Sequence, residues 1–197
     1  MIFKLGTQQQ VDTESFAGLI FDLDGTLINS MPLHNKAWIT VLQKQGYQLD
    51  ESFLNELAGV PSIKTAEIMI RRFGWKLDAV DIVREKEAYY FSNINLVEPF
   101  SEILQIVNDN FRLKPMAIVT GGQRVDVSKV LKTLDLEKLF NVVVCADDTA
   151  NGKPSPEPFL LAAKKLKVPP ENCLVFEDGK AGILGAKNAG MKTIRVK

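Results

Sequence analysis

The chain has 197 residues, with 24 lysines and arginines against 24 aspartates and glutamates, 46% apolar residues and two cysteines. This is globular composition, long enough to bury a proper core. Neutrality without a basic run argues against nucleic acid or an anionic membrane surface as the primary partner, and no apolar stretch approaches the roughly 18 residues of a membrane span.

Residues 1–17 read as a short polar leader, a loosely held arm that lacks the cationic start and apolar block of a signal peptide. Next comes Leu19-Ile20-Phe21, a continuous apolar run ending at Asp22 and the loop Asp24-Gly25-Thr26. A run that does not alternate predicts a strand buried on both faces. Similar runs are Met116–Val119 before Thr120-Gly121-Gly122, Val142–Cys145 before Asp147-Asp148, Leu174–Phe176 before Glu177-Asp178, and Thr193–Val196.

Helical spacing fills the intervals, as in Ile103/Ile106/Val107, Val127/Val130/Leu131, Phe159/Leu160/Ala163/Leu166 and Ile183/Ala186/Ala189 before Gly190. Strand and helix alternating with short loops predict an α/β fold, a Rossmann-like doubly wound parallel sheet with helices on both faces. From Met31 to about Asn95 that alternation stops, and only amphipathic helical stretches follow: His34–Gln45, Glu51–Leu57, Ile63–Phe73 and Val80–Ile94. The expected organisation is therefore a core of residues 1–30 and 98–197, interrupted by a helical subdomain of residues 31–97. Cys145 and Cys173 sit in apolar runs, too far apart for a disulfide framework, and read as small buried hydrophobes of a soluble, cytoplasmic protein.

In open parallel sheets ligands bind beyond the carboxyl ends of the strands. Here Asp22, Asp24, Thr120, Asp147, Asp148, Glu177 and Asp178 follow strands, so carboxylates converge on one edge. Such crowding calls for a cation among them. A hard divalent ion with oxygen ligands, most simply Mg2+, fits best, and Lys153 in Asn151-Gly152-Lys153-Pro154 is the nearby protein cation. Asp147 and Asp148 read as a loop or capping pair with an indirect part in the site.

The segments Phe21-Asp22-Leu23-Asp24-Gly25-Thr26-Leu27, Thr120-Gly121-Gly122, Lys153-Pro154 and Phe176-Glu177-Asp178 with Gly182-Ile183 resemble, in order and spacing, the four motifs of the haloacid dehalogenase superfamily in its phosphohydrolase form. The resemblance implies that Asp22 is the nucleophile forming an aspartyl phosphate and Asp24 the general acid and base. It further implies that Thr120, Gly121, Gly122 and Lys153 hold the phosphoryl group. The metal falls to Asp22, the Asp24 backbone carbonyl and Asp178, with Glu177 the weaker candidate. The insert resembles the family's helical cap, nearest to the subgroup of beta-phosphoglucomutase and fructose-1-phosphate or 6-phosphogluconate phosphatase.

His34, twelve residues after Asp22, matches a hinge histidine of that subgroup. Ser62 stands where the mutase carries an arginine, and Thr26 follows Asp24-Gly25 where the mutase lacks a threonine; both departures favour a phosphatase. Arg84 and Lys86 read first as a solvated helix face and second as groups that reach a substrate's polar end. The expectation is a Mg2+-dependent phosphatase of a small phosphorylated metabolite, a sugar phosphate, acting as a monomer or small homo-oligomer without nucleic-acid or membrane partners. A phosphomutase is the alternative, and a phosphoaccepting signalling receiver is the rival from a different class.

Overall fold

The computed structural model describes residues 2–5, 9–57 and 59–196. In chain order the elements are Ile2–Leu5 (β1), Gln9–Asp12 (β2), Gly18–Phe21 (β3), Met31–Lys44 (α1), Glu51–Glu56 (α2), Ser62–Phe73 (α3), Ala79–Ser92 (α4), Ser101–Asn110 (α5) and Met116–Val119 (β4). They continue with Arg124–Thr133 (α6), Val142–Val144 (β5), Glu157–Leu166 (α7), Cys173–Glu177 (β6), Lys180–Asn188 (α8) and Lys192–Arg195 (β7). The chain divides into two compact units, Met1–Asn29 with Glu98–Lys197, and Ser30–Val97.

In the first unit five parallel strands lie in the order β5-β4-β3-β6-β7. Parallel crossovers are right-handed almost without exception. The two steps outward from β3, through α5 to β4 and α6 to β5, therefore place their helices on one face, while the return through α7 to β6 and α8 to β7 places theirs on the other. Burial follows from this. Ile20, Ala117, Val119, Val144 and Val175 pack with Phe159, Ala162, Ala163 and Leu166 of α7 and Ala186 of α8. Their strand neighbours Leu19, Phe21, Ile118 and Phe176 point the opposite way, as alternation along a strand requires, and are equally buried. Phe21 stacks on Phe176 at 4.7 Å between centroids. A sheet covered on both faces explains strands that read as continuous apolar runs.

The order also fixes where a ligand can go. The connections change direction between β3 and β6, so the crevice of a doubly wound sheet opens between the carboxyl ends of those two strands. A signalling receiver has the order 2-1-3-4-5, and counting the five strands along the chain, this sheet runs 3-2-1-4-5.

The polar leader is not a loose arm. β1 and β2 pair antiparallel, with Ile2 opposite Asp12 and Leu5 opposite Gln9; Gly6, Thr7 and Gln8 between them lie outside the described residues. Residues 13–17 are tied down as well. Thr13 is buried and donates from its hydroxyl to Asn110 Oδ1, and Lys114 Nζ donates to the Thr13 and Phe16 carbonyls. Backbone pairing and a reaching lysine carry this segment, and neither leaves an apolar pattern in the sequence.

The second unit is all helical, built on Trp38, Val41, Leu42, Leu54, Ala66, Met69 and Ile82. Asp50 and Asp78 start α2 and α4 by accepting from Ser52 N and from Val80 N and Asp81 N. Among the described residues no helix is long and apolar enough to cross a membrane.

Candidate active site

Asp22 is the first residue past β3. Its amide donates to the Phe176 carbonyl at 3.0 Å, which continues the pairing with β6 by one residue and seats Asp22 at the crevice. The chain then turns sharply: Leu27 N and Ile28 N both donate to the Leu23 carbonyl, and Gly25 N donates to the Ile28 carbonyl. Gly25 makes this possible with φ +86°, and a Cβ there would stand 2.5 Å from Asp178 Oδ2. Only glycine fits on both counts.

Four charged groups meet at this point. Lys153 Nζ donates to Asp22 Oδ1 and to Glu177 Oε2, each at 2.6 Å. One carboxylate oxygen from each of Asp22, Glu177 and Asp178 lies within 4.8 Å of the others. Three carboxylates against one ammonium leave two negative charges uncompensated when all are ionised. The consequence is visible at Asp22: burial pushes its carboxyl up to about 8 against the pull of Lys153, and the charges of Glu177 and Asp24 push the same way. Glu177 is also raised by burial, opposed by Lys153 and the Gly179 amide. Burial would lower Lys153, but its two carboxylate partners outweigh that and hold the ammonium above its ordinary range. An all-oxygen set with surplus negative charge suits a hard divalent cation, and among the described residues Asp22, Glu177 and Asp178 are grouped so that they could hold it.

Each member is positioned by a neighbour. Thr26, fully buried, donates from Oγ1 to Asp178 Oδ1 at 3.0 Å and accepts from Asp178 N at 3.1 Å. Glu177 Oε1 accepts from Gly179 N at 3.0 Å, and Gly182 leaves room for its carboxylate, which a Cβ there would overlap. The Lys153 loop is folded around Glu157, which accepts from Ala150 N at 3.0 Å and from Asn151 N and Nδ2 at 3.1 Å. Those amides, Ala150 foremost, hold the Glu157 carboxyl below its ordinary range.

Thr120 follows β4, the strand beside β3, and is buried. Its Oγ1 accepts from Gly122 N at 3.1 Å, which closes the Thr120-Gly121-Gly122 turn. A hydroxyl that has accepted still has its proton to donate. Asp24, half-buried in the turn, pairs by backbone with Ile28; its carboxylate is not one of the clustered three.

The structure thus brings Asp22, Lys153, Glu177 and Asp178 into one cluster, with Asp24 and the Thr120 turn on the adjoining strand ends. His34 and Ser62 belong to the helical unit and meet there around Lys86, which corrects the expectation of a solvated face. Lys86 is 1% exposed. Its Nζ lies 2.9 Å from Glu87 Oε1, 2.8 Å from His34 Nδ1 and 3.4 Å from Ser62 Oγ, and within 6 Å of the Trp38 and Tyr90 ring centres. Glu87, next in the chain, makes that burial tolerable. Arg84 does face solvent, paired with Asp81 at 2.8 Å.

A doubly wound sheet that gathers carboxylates, a lysine and a threonine–glycine turn beside its switch point has the architecture of an enzyme acting on an anionic substrate. The chain belongs to the haloacid dehalogenase-like hydrolase family, whose pattern matches residues 19–196. It is 38% identical over 185 residues to the fructose-1-phosphate phosphatase YqaB of Escherichia coli, covering 93% of this chain and 98% of that protein. It is 34% identical over 180 residues to a phosphorylated carbohydrates phosphatase of Thermotoga maritima, covering 89% and 82%. Among solved structures, the beta-phosphoglucomutase of Clostridium difficile superposes with a TM-score of 0.79 at 26% identity, over 92% of this chain and 85% of that one.

Proposed function

We propose that the protein is a Mg2+-dependent phosphatase of a small sugar phosphate, working through an aspartyl phosphate on Asp22. The observation that carries this reading is the seating of Asp22 at the β3 end with Lys153 Nζ 2.6 Å from its Oδ1. A buried carboxylate is thereby oriented at the switch point, with its second oxygen left for attack on phosphorus.

In the proposed sequence Asp22 displaces the sugar alkoxide while Asp24 gives it a proton. Asp24 then takes a proton from the water that attacks the aspartyl phosphate, and Asp22 leaves as free carboxylate. Thr120 and the backbone at Gly121 and Gly122 hold phosphoryl oxygens, and Lys153 offsets the charge between Asp22 and the phosphoryl group. Mg2+ fits the carboxylates of Asp22, Asp178 and Glu177 together with the Asp24 backbone carbonyl, and when bound supplies positive charge to a transfer whose negative charge spreads over phosphoryl oxygens.

We assign residues 1–30 with 98–197 to the catalytic core and residues 31–97, through His34 and Ser62, to substrate discrimination. The sugar-phosphate substrate class is supported by the activities of the two phosphatase relatives.

Inorganic phosphate release across sugar phosphates, polyol phosphates, 6-phosphogluconate and nucleotides, with and without Mg2+, tests the assignment. The expected result is release from a hexose phosphate that stops when Mg2+ is removed. Isomerised hexose phosphate without release would make the protein a mutase. No release from any metabolite, with stable phosphorylation by acetyl phosphate, would make it a phosphoaccepting protein on this fold and not a phosphatase.

A further inference from the structure

The turn assigned to phosphate, Thr120–Gln123, leads into α6, and α6 is not capped by its own sequence: the Gln123 side chain makes no capping bond. The cap comes from another loop. Asp147, past β5, accepts from the first helical amide, Arg124 N, at 2.9 Å through Oδ1 and 3.3 Å through Oδ2.

Further ties bind the same two segments. Ala146 N donates to the Gly122 carbonyl at 2.9 Å. The Arg124 guanidinium donates to the Val143 carbonyl at 3.0 Å and to Asp148 Oδ2, and that same oxygen accepts from Cys145 N at 2.8 Å. Thr120 N also donates to the Val144 carbonyl at 3.0 Å. Both ends of the phosphate turn are therefore anchored on one neighbour, the end of β5 and the Ala146–Asp148 turn.

We propose that Asp147 is a positioning residue for phosphate binding. Its carboxylate caps α6 from the adjoining loop and so fixes the Thr120-Gly121-Gly122 turn in the geometry that receives phosphoryl oxygens, with the Arg124–Asp148 pair as a second anchor. This rests on the phosphatase reading given above.

The physical basis is the unsatisfied N–H at a helix start. Aspartate and asparagine cap about equally well, whereas alanine gives up roughly 1 kcal/mol, about a fivefold change in an equilibrium constant. A turn freed at Arg124 N loses rigidity at a place where small misplacements weaken binding of the transferred group.

The test measures kcat and KM for p-nitrophenyl phosphate, the Ki of inorganic phosphate, and Tm, for the Mg2+-loaded wild type and for Asp147→Ala, Asp147→Asn and Arg124→Lys. Asp147→Ala should raise the phosphate Ki about fivefold and lower kcat/KM at least as much, and Asp147→Asn should restore both. Arg124→Lys keeps the backbone bond to Asp147 but loses the fork to Asp148 and Val143, and should raise Ki by about twofold to threefold. It also carries the test if Asp147→Ala does not fold.

A shift in Tm with Ki and kcat/KM unmoved in Asp147→Ala would overturn the proposal and leave the phosphatase reading standing. So would an asparagine variant as impaired as the alanine one, or an Arg124→Lys protein with unaltered Ki. A wild type that neither releases phosphate nor binds it would overturn the reading and the proposal together.

Discussion

Replacing Thr26 by valine removes one oxygen in the interior and keeps the shape. The hydroxyl donates to Asp178 Oδ1 and accepts from Asp178 N, so both bonds disappear and no cavity opens. A hydrogen bond to a charged carboxylate contributes about 1.5–3 kcal/mol, and an amide left without its acceptor costs about 1–3 kcal/mol. Asp178 is half-buried and water can repair part of the loss, so the lower ends of both ranges apply and the net is about 2.5 kcal/mol. For a chain of this size that lowers Tm by roughly 5–10 °C.

The functional effect should be larger than the thermal one suggests. Asp178 keeps its carboxylate but loses the group that orients it, and the loss of such an outer partner typically weakens metal binding about 10–100-fold. Titration calorimetry with Mg2+, thermal melts and kcat/KM at saturating and limiting Mg2+ read the two effects separately. Thr26→Ser gives the contrast. It keeps the hydroxyl and loses one buried methyl, so stability falls by about 1 kcal/mol while Mg2+ affinity stays near wild type. A valine variant with Mg2+ affinity and kcat/KM within about twofold of wild type would refute the reasoning that Thr26 orients Asp178.

Lys153→Met leaves the buried Asp22 and Glu177 carboxylates without their shared cation, so it should destabilise the metal-free protein by about 3–5 kcal/mol; added Mg2+ should recover stability but not turnover, and an unchanged melt would contradict the pairing. Gly182→Ala drives a methyl into the Glu177 carboxylate, and both Mg2+ affinity and activity should fall; full activity would show that Glu177 has no part in the site. Asp22 has a folded-state value of about 8 against 3.8 as its reference. An acid raised in this way binds its proton more tightly when folded, so without metal its contribution to stability falls as pH rises through the window between those values and is level above it. Mg2+ must displace that proton, so its apparent affinity should rise as pH increases from 6 to 8 and level off beyond, checked by calorimetry across that range; affinity independent of pH would contradict the raised value.

Much of the architecture was legible because burial on both faces of a parallel sheet writes itself as unbroken apolar runs. Met116–Val119, buried along its whole length, was readable for that reason. Val142–Val144 showed the same apolar run although it is an edge strand only partly buried, and α3 and α4 were legible within one or two residues at each end from helical spacing. What stayed hidden was long-range. Thr26 and Asp178 lie 152 residues apart, and nothing local says that the hydroxyl spans both polar groups of the acid. Lys153 was legible as a partner for Asp22, yet its equal bond to Glu177 depends on how α7 brings the loop back to β6.

Lys86 misled through local pattern, since Arg84-Glu85-Lys86-Glu87 looks like any charged helix face. Its burial is settled by His34 and Ser62, from two other helices. The β1–β2 pair left no signal because Gln8-Gln9-Gln10 lacks the alternation that marks a strand with one buried face.

In the proposed reaction Asp22 accepts the phosphoryl group. Inorganic phosphate release from fructose 1-phosphate in Mg2+, by the wild type and by Asp22→Asn side by side, tests it most directly, with circular dichroism confirming that both are folded. Asparagine keeps the size of the side chain and removes the nucleophilic oxygen, so release should fall by about a thousandfold or more. Release by Asp22→Asn at the wild-type rate would contradict the account.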